Sequence, residues 1–436
     1  MKNDIKIDHR QIEYFENGFR ICSASDTLKN IYAANDKLGI IKTLYKIESG
    51  STVIFPIYVS RFRKPSHLMF SEQVNRIYPH VYIECFGKGL TAEQCQVSAL
   101  LEAIERYCSF LTDDDELITG SYNELHCDAI DPFTLCLGPR HYRSYTNDLS
   151  IEWRWAYSLL RNKYVLVPAL FAFMFYWDPI NSDRFFYDSN GLSCGNCMEE
   201  AILHGIFEVI ERDSLLIMHR NKLCLPDVNP KTSTNEYVQE ILDMLERNSV
   251  KYYVKIATTD IEVPSFSVFL HNEKNKTYSH TVCSHIDPDI ALSRALTEAL
   301  QRYDKRGESL WLKYCSIKHL HTKSKTGMNM SDIVDVSSKY DLKDNISTIV
   351  DILSQHNADV LVVNLSNENI PFPVVRVIIP TLQPADNHEN PRFSKRLFEI
   401  PKKLGYRKDM PKKEEFMMGP FCGLIDPKKV CTPPEM

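Results

Sequence analysis

The chain of 436 residues is poor in glycine, with 15 glycines in all. This is about half of the usual share of roughly 7%, which excludes collagen-like and glycine-rich low-complexity architectures. An excess of positive charge is also lacking, since 51 basic and 57 acidic residues give a formal net charge of −6. That balance disfavours a general nucleic-acid binder. The hydrophobic share of 44% is ordinary for a globular protein with a large core.

Long hydrophobic runs are missing as well. The most apolar run, residues 164–177, contains Pro168 and is 14 residues long, whereas a membrane-spanning helix needs about 20. Residues 1–19 have no apolar core of the kind found in signal peptides. The 13 cysteines are odd in number and scattered, which favours free thiols in a reducing compartment. We therefore expect a cytoplasmic protein that does not contact a membrane.

Helical and strand-like segments alternate along the chain. Residues 235–249 carry apolar side chains at helical spacing, and residues 252–258 and 265–271 are typical of strands. The same order recurs later as a helix over 346–356 and strands over 359–365 and 373–380. This pattern predicts an α+β fold of mixed sheets with packed helices.

Three regions are expected from composition. Residues 1–79 form an N-terminal region without an assigned role, residues 80–385 the main domain, and residues 386–436 a proline-containing C-terminal extension over the surface. Between Arg392 and Lys413 the extension has nine basic and two acidic residues. This basic segment would face an acidic peptide or a partner protein, or would simply be solvated.

Three segments share one helical signature, in which an acid and a second polar group are three residues apart and so lie on one helix face. The carboxylates of these segments are Glu102, Glu105, Glu200, Glu208, Glu211 and Glu298. For an isolated case a solvated helix face is the ordinary interpretation. Here apolar residues surround the acids, so the helices are expected to be buried.

Buried carboxylates need compensation, because an unpaired charge is costly in the interior. Arg106, Arg212 and Arg302 accompany the acids, but three arginines cannot neutralise six glutamates. A hard divalent cation such as Mg²⁺ would do so while sharing carboxylates with phosphates. The residues therefore predict a carboxylate cage for Mg²⁺ and a polyphosphate, with the arginines left to bind phosphate oxygens.

Other motifs compete with this interpretation. ATP would have to bind without a P-loop, since no such motif is present, and Lys88 between two glycines is a weak phosphate-binding signal. Residues 191–195 match the G-x-S-x-G pattern of serine hydrolases, with Ser193 as the nucleophile. Cys194 and Cys197 have the spacing of a zinc or redox pair, although two incidental buried thiols are the simpler account. Replacing Ser193 with alanine would abolish activity in a hydrolase.

The ordered motifs resemble those of the YcaO family, and in particular its azoline-forming cyclodehydratase branch. The resemblance covers roughly residues 80–410 and is carried by three separate motifs. The first motif is Ser98-x-x-x-Glu102-x-x-Glu105-Arg106, the second runs from Ser193-x-x-Asn196-x-x-x-Glu200 to Glu208-x-x-Glu211-Arg212, and the third is Glu298-x-x-Gln301.

The resemblance implies a YcaO-type ATP-binding fold with ATP and Mg²⁺ as cofactors. It further implies that glutamates 102, 105, 200, 208, 211 and 298 ligate the metal. The nucleotide-binding residues that it suggests are Lys88, Ser98, Ser193, Asn196, Arg212, Gln301 and Arg302. No catalytic residue is assigned.

In activity, the resemblance implies phosphorylation of a backbone amide oxygen of a ribosomal precursor peptide, so that Cys, Ser or Thr becomes an azoline. Thioamide formation and a docking subunit of a peptide-modifying complex are the alternatives. The C-terminus, Thr432-Pro-Pro-Glu-Met436, lacks the alternating prolines common in azoline-forming members. Because no peptide-recognition module is evident in the first 80 residues, we expect a separate leader-binding partner protein. A homodimer is one arrangement that the sequence leaves open.

Overall fold

The computed structural model describes most of the chain, and all structural statements below concern these residues: 5–14, 18–47, 56–65, 80–112, 114–136, 145–176, 186–187, 189–272, 277–304, 318–385 and 392–410. No helix within these ranges is both long and apolar enough to cross a membrane.

Ten α-helices occur in the described ranges: α1 (Ala24–Leu38), α2 (Ala92–Cys108), α3 (Tyr122–Leu125), α4 (Ala169–Ala172), α5 (Met198–Asn221), α6 (Glu236–Arg247), α7 (Pro288–Asp304), α8 (Lys318–His321), α9 (Leu342–Ser354) and α10 (Arg396–Lys403). The first strands are β1 (Ile41–Ile47), β2 (Ile57–Arg63), β3 (Tyr82–Gly87), β4 (Ile118–Gly120), β5 (Ile151–Ser158), β6 (Lys163–Pro168), β7 (Phe175–Tyr176), β8 (Phe186–Tyr187) and β9 (Leu192–Cys194). The later strands are β10 (Asp227–Asn229), β11 (Lys251–Ile256), β12 (Ser265–Asn272), β13 (Thr277–Ser284), β14 (Gly327–Asn329), β15 (Leu361–Asn364) and β16 (Val374–Ile378).

The strands form three main sheets with helices packed between them. Their orders are β1-β2-β3, β13-β12-β11-β10-β14 and β4-β5-β15-β16-β9, with β6 added beside β5 and a small β7-β8 pair apart. The pairings are antiparallel except for β10 with β14. The predicted α+β class with mixed sheets is confirmed.

The secondary structure predicted from periodicity is confirmed in its middle section. The helix predicted over 235–249 is α6, and the strands that follow it are β11 and β12. The later helix and its two strands are α9, β15 and β16. Helix α6 forms where predicted because the side chain of Asn235 caps its first turn, accepting from the N–H of Tyr237 at 3.0 Å.

Helix α5 lies at the centre of the fold and is buried over most of its length. It packs on the sheet through Gly205, where an added Cβ would lie 2.6 Å from Val377 Cγ2 and 2.8 Å from Ser193 Oγ. Gly191 precedes β9 with φ +76°, and a Cβ there would meet Val377 O at 2.1 Å. Gly205 needs glycine because α5 lies close to the sheet there. Gly191 needs glycine because its φ is positive and the carbonyl of Val377 is adjacent.

The N-terminal region packs directly on the main domain. Strand β2 pairs with β3, and Ser60 Oγ donates to Ala99 O of α2 at 2.6 Å. Leu28 and Ile31 of α1 belong to the same hydrophobic core as α2. The boundary predicted after residue 79 therefore lies inside one three-stranded sheet, with β1 and β2 before it and β3 after it.

Most of the C-terminal segment 392–403 is buried, which contradicts the expected extension over the surface for this part of it, while Lys395, Glu399, Lys402 and Lys403 are exposed. Phe393, Leu397 and Phe398 lie in a hydrophobic core with residues of α5. Arg392 is buried, and its Nε donates to Cys136 O at 3.0 Å. The basic character of this segment therefore reflects interior pairing for its first arginines, while residues 411–436 lie outside the described ranges.

One ion-pair network fastens α10 to α5. Arg396 Nε and Nη2 donate to the two carboxylate oxygens of Asp213 at 2.9 and 2.7 Å, and Nη2 also donates to Asp260 Oδ1 at 2.7 Å. Asp213 is 0% exposed. Burial alone would raise the pKa of Asp260, but Arg396 and Lys403 outweigh it and lower that pKa below its usual value. Among the described residues Arg396 is the cation paired with Asp213, so the charge of Asp213 is compensated only while Arg396 is in place.

Replacing Arg396 with methionine is expected to lower the free energy of unfolding by about 3–5 kcal/mol, because Asp213 becomes an uncompensated buried charge. Lys403→Ala is the matched control. Lys403 also pairs with Asp260, at 2.8 Å, but is 57% exposed, so its loss should cost about 1 kcal/mol or less. Urea unfolding followed by circular dichroism measures both, and equal effects of the two changes would contradict the network.

Candidate functional site

A cavity of about 620 Å³ opens between the ends of α2, α5 and α7. Its lining includes five of the six carboxylates predicted from sequence, contributed by glutamates 102, 105, 200, 208 and 298. Six cations line it as well, namely Arg20, Lys88, Arg106, Arg212, Arg294 and Arg302. The convergence of the three acidic helices is therefore confirmed, and both acidic and basic side chains line the cavity.

Helix α2 presents one polar face to the cavity. Thr91 caps its first turn, accepting from Gln94 N at 3.2 Å, and the face then carries Ser98, Glu102, Glu105 and Arg106. Arg106 Nη2 donates to Glu102 Oε1 at 3.1 Å, and its Nε lies 3.8 Å from Glu105 Oε1. The spacing of three and four residues places these groups on one side of the helix.

Helix α5 supplies the second acidic face. Arg212 Nη1 donates to Glu211 Oε1 at 2.7 Å, and Arg212 Nη2 lies 3.6 Å from Glu208 Oε1. Glu211 is buried behind the cavity wall, whereas Glu208 and Arg212 line the cavity. One arginine on this helix thus serves two carboxylates.

Helix α7 and the end of β3 complete the walls. Glu298 is 6% exposed, pairs with Lys88, and accepts from Arg302 Nη2 at 2.6 Å. Gln301 Nε2 donates to Phe86 O at 3.1 Å, which ties α7 to β3. Lys88, the weak signal of the sequence, therefore lines the cavity beside Glu298.

The arginines are engaged rather than free. Arg106, Arg212 and Arg302 each donate to a glutamate in this structure, whereas they were expected to be available for phosphate oxygens. The reason is electrostatic, because oppositely charged groups held within a turn of each other on a buried helix attract strongly. To bind here, phosphate groups and their metal ions would have to replace these arginine–glutamate ion pairs.

The buried carboxylates have strongly divergent titration behaviour. Burial raises the pKa of Glu105 well above its usual range, and Arg106 opposes this only in part. Burial also raises the pKa of Glu211 to about 7, despite the charge of Arg212. Burial acts in the same direction on Glu298, but Lys88, Arg302 and Arg212 outweigh it and hold its pKa well below the usual range. Burial acts in the same direction on all three, and the divergence arises because the cations around Glu298 outweigh burial whereas those around Glu105 and Glu211 do not.

The donor set fits a hard divalent cation. One carboxylate oxygen each from Glu211 and Glu298 lie within 4.8 Å of each other, and burial raises the pKa of the neighbouring Cys283 thiol, which makes that thiol a poor ligand. Carboxylate oxygens are the ligands that Mg²⁺ prefers, and it usually binds through one or two of them together with phosphates. A cation would also relieve the repulsion that raises the pKa of Glu105 and Glu211. The assignment of six individual metal ligands remains a prediction.

Glu200 and Asn196 act as anchors in this structure. Glu200 accepts from the backbone N–H of Ile21 at 2.8 Å and from the backbone and side-chain nitrogens of Asn196, both at 3.1 Å. Thr27 Oγ1 donates to Asn196 Oδ1 at 3.0 Å. Both predicted residues line the cavity, and their bonds fasten the N-terminal segment across the start of α5.

Ser193 does not reach the cavity. It lies in β9 at 0% exposure, and its Oγ donates to Ala201 O at 2.7 Å. The expectation that it contacts a nucleotide is therefore wrong in this structure, and so is the serine-hydrolase alternative, which needs an exposed hydroxyl at a strand-to-helix turn. The serine instead fastens β9 to the first turn of α5.

The cysteine pair behaves as two thiols rather than as a metal site. Cys194 and Cys197 are buried and unbonded to each other, and burial raises the pKa of both. Among the described residues, neither belongs to a cluster of metal-ligating side chains. A high thiol pKa disfavours both metal binding and redox exchange.

Three basic residues of the cavity were missed from the sequence: Arg20, His204 and Arg294. His204 and Arg294 could have been found, because each lies four residues from a motif glutamate, Glu200 and Glu298, and so on the same helix face. Arg20 belongs to the N-terminal segment, whose contacts with α5 are more than 150 residues distant in sequence. No local signal marks it.

Ser193→Ala is expected to leave nucleotide affinity unchanged and to lower the free energy of unfolding by about 1–2 kcal/mol, since a buried hydrogen bond is lost. Calorimetric titration and urea unfolding of the same preparation measure the two quantities. Weaker nucleotide binding without a loss of stability would return Ser193 to the nucleotide site.

The family model for "YcaO cyclodehydratase, ATP- and Mg²⁺-binding" matches residues 86–383. An uncharacterised protein of Methanothermobacter thermautotrophicus is 28% identical over 317 residues, covering 68% of this chain and 81% of that protein.

Two solved structures share the fold. A heterocyclase in complex with substrate and cofactor superposes with a TM-score of 0.82 at 24% identity, over 96% of this chain and 59% of its own. The structure of YcaO from Methanopyrus kandleri, bound with AMPPCP and Mg²⁺, gives a TM-score of 0.65 at 22% identity, over 86% and 94%. This chain thus spans about three fifths of the heterocyclase. From the family match and the three convergent acidic helices, the chain belongs to the YcaO family of ATP- and Mg²⁺-binding enzymes.

Proposed function

We propose that this protein is an ATP- and Mg²⁺-dependent cyclodehydratase that forms azolines from Cys, Ser or Thr in a ribosomal precursor peptide. The observation that carries the proposal is the single cavity into which α2, α5 and α7 bring five buried or half-buried glutamates. Such a concentration of carboxylates has no use in a docking subunit, because it destabilises the fold unless cations occupy it.

The nucleotide would be held without a P-loop. Lys88, Arg212 and Arg302 pair with carboxylates of α5 and α7, and they suit phosphate oxygens. Ser98, Asn196 and Gln301 line the cavity as neutral hydrogen-bonding groups. In this proposal the glutamates hold Mg²⁺, which neutralises the remaining negative charge.

The chemistry requires positioning more than covalent participation by the protein. ATP supplies the phosphoryl group that converts a peptide amide oxygen into a leaving group. In this proposal the side chains of α5 and α7 hold the phosphates, and the low dielectric of the protein around the cavity strengthens each charge interaction inside it. Phosphoryl transfer depends mainly on such placement and charge neutralisation.

The partner and the product are the finer parts of the proposal. A separate leader-binding protein would deliver the peptide, and the likeness to a heterocyclase in complex with substrate favours a peptide in the same cleft. The C-terminal residues that distinguish azoline-forming members lie outside the described ranges. Thioamide formation is therefore the alternative within the family, and the two products differ in mass.

Titration of AMPPCP into the purified chain tests the nucleotide site. We expect saturable binding with Mg²⁺ and little without it. Glu208→Gln should weaken binding by at least about tenfold. Even the loss of a group that only hydrogen-bonds to a metal ligand typically lowers metal affinity about 10–100-fold. Glu93→Gln, an exposed residue of α2, is the matched control and should bind like the unaltered chain. Binding that ignores both Mg²⁺ and Glu208 would contradict the site.

Product analysis tests the activity. The chain is incubated with MgATP and a pool of synthetic peptides that contain Gly-Cys pairs, and each peptide is examined by mass spectrometry. Cyclodehydration removes one water and releases ADP and phosphate in step with it. A gain in mass from exchange of oxygen for sulfur, with a sulfide donor present, would instead support the thioamide alternative. A chain that binds nucleotide but changes no peptide would contradict both activities.

A further inference from the structure

His204 and Arg294 form a pair of donors on one wall of the cavity, which neither the metal nor the nucleotide assignments use. Arg294 Nη2 lies 3.1 Å from His204 Nε2. A guanidinium can only donate hydrogen bonds, so Nε2 must accept with its lone pair. The imidazole is therefore neutral, with its hydrogen on Nδ1.

The Nδ1–H of His204 is available to a ligand. It makes no hydrogen bond to any residue within the described ranges, and His204 lines the cavity. Burial together with the charges of Arg294, Arg20 and Lys88 lowers the pKa of His204 well below its usual range, in agreement with the neutral ring.

The position of His204 on α5 indicates its occupant. It lies one helical turn from Glu200 and one turn from Glu208, about 6 Å along the axis in each direction. Glu208 and Arg212 are the residues proposed to face the metal and phosphates. A group bound at His204 would thus lie beside the terminal phosphate, where the oxygen that accepts the phosphoryl group has to be.

A small recess supports a ligand atom of this kind. Its volume is about 10 Å³, and Arg20, Glu200, His204 and Arg294 line both it and the main cavity. That volume is close to the space that one water-sized group needs. A carbonyl oxygen is an acceptor that suits the N–H donor of His204.

We propose that His204 Nδ1–H binds the peptide carbonyl oxygen that becomes phosphorylated, with Arg294 as the positioning residue that holds the imidazole in this tautomer. This inference rests on the proposed cyclodehydration. In its first step the Cys, Ser or Thr side chain bonds to the carbonyl carbon and the π electrons move onto the oxygen. The side-chain proton passes to solvent water. The Nδ1–H of His204 stabilises the oxygen as it becomes negative, which makes His204 a catalytic residue of the oxyanion-binding kind.

The test separates peptide turnover from nucleotide affinity. His204→Ala should lower kcat for azoline formation by about 100-fold, the usual effect of removing one oxyanion donor. Its affinity for AMPPCP with Mg²⁺, measured by calorimetry, should stay within about twofold of the unaltered chain. His204→Gln, which keeps an N–H donor, should recover part of the rate. Glu208→Gln should show the opposite pattern and lose affinity first.

Three results would overturn this inference. Equal rates for His204→Ala and the unaltered chain would show that the donor does not act on the reacting oxygen. A parallel loss of nucleotide affinity in His204→Ala would place His204 in the nucleotide site instead. Absence of product from the unaltered chain, with nucleotide affinity intact, would contradict the proposed function itself. The measurement on the unaltered chain therefore separates that failure from failure of the role of His204.

Discussion

The constraint on which this structure depends is the crowding of carboxylates in its interior. Glu105, Glu211 and Glu298 are all largely buried, and their pKa values diverge because burial disfavours the charge of each while only Glu298 has enough cations beside it to reverse that effect. Arginines on the same helices offset part of the charge through ion pairs four or fewer residues apart. Replacing these pairs by apolar residues would cost the fold little, so their presence indicates a functional demand for oxygen ligands.

Helix α5 connects the acidic cavity with the rest of the fold. One of its faces carries Glu200, His204, Glu208 and Arg212 toward the cavity, while Gly205 allows the opposite side to lie against β9 and β16. The N-terminal segment is bonded to the start of this helix, and α10 is bonded to Asp213 beside the acidic residues. The site is therefore held from both ends of the chain by buried polar contacts, so that its side chains are placed by rigid elements.

The sequence was sufficient to predict those parts that local spacing determines. Glutamates three or four residues apart on apolar helices had to share a buried face, and the motif order identified the family before any geometry was known. Ser193 was assigned wrongly, because its exposure depends on how closely α5 packs on β9 at Gly205. Arg396 looked like surface charge, since its partner Asp213 is 183 residues away in sequence. Arg20 was missed for the same reason. Long-range pairing leaves no periodic trace in one sequence.

The central claim is that α2, α5 and α7 together form one metal and nucleotide site. A crystal structure of the chain with AMPPCP, in which Mn²⁺ replaces Mg²⁺, tests it most directly because the anomalous signal of manganese locates the ion. The account predicts manganese peaks among the glutamates of these helices, with the phosphates beside Lys88 and Arg302. An ordered nucleotide elsewhere on the protein, or a cavity without manganese at saturating concentrations, would contradict it.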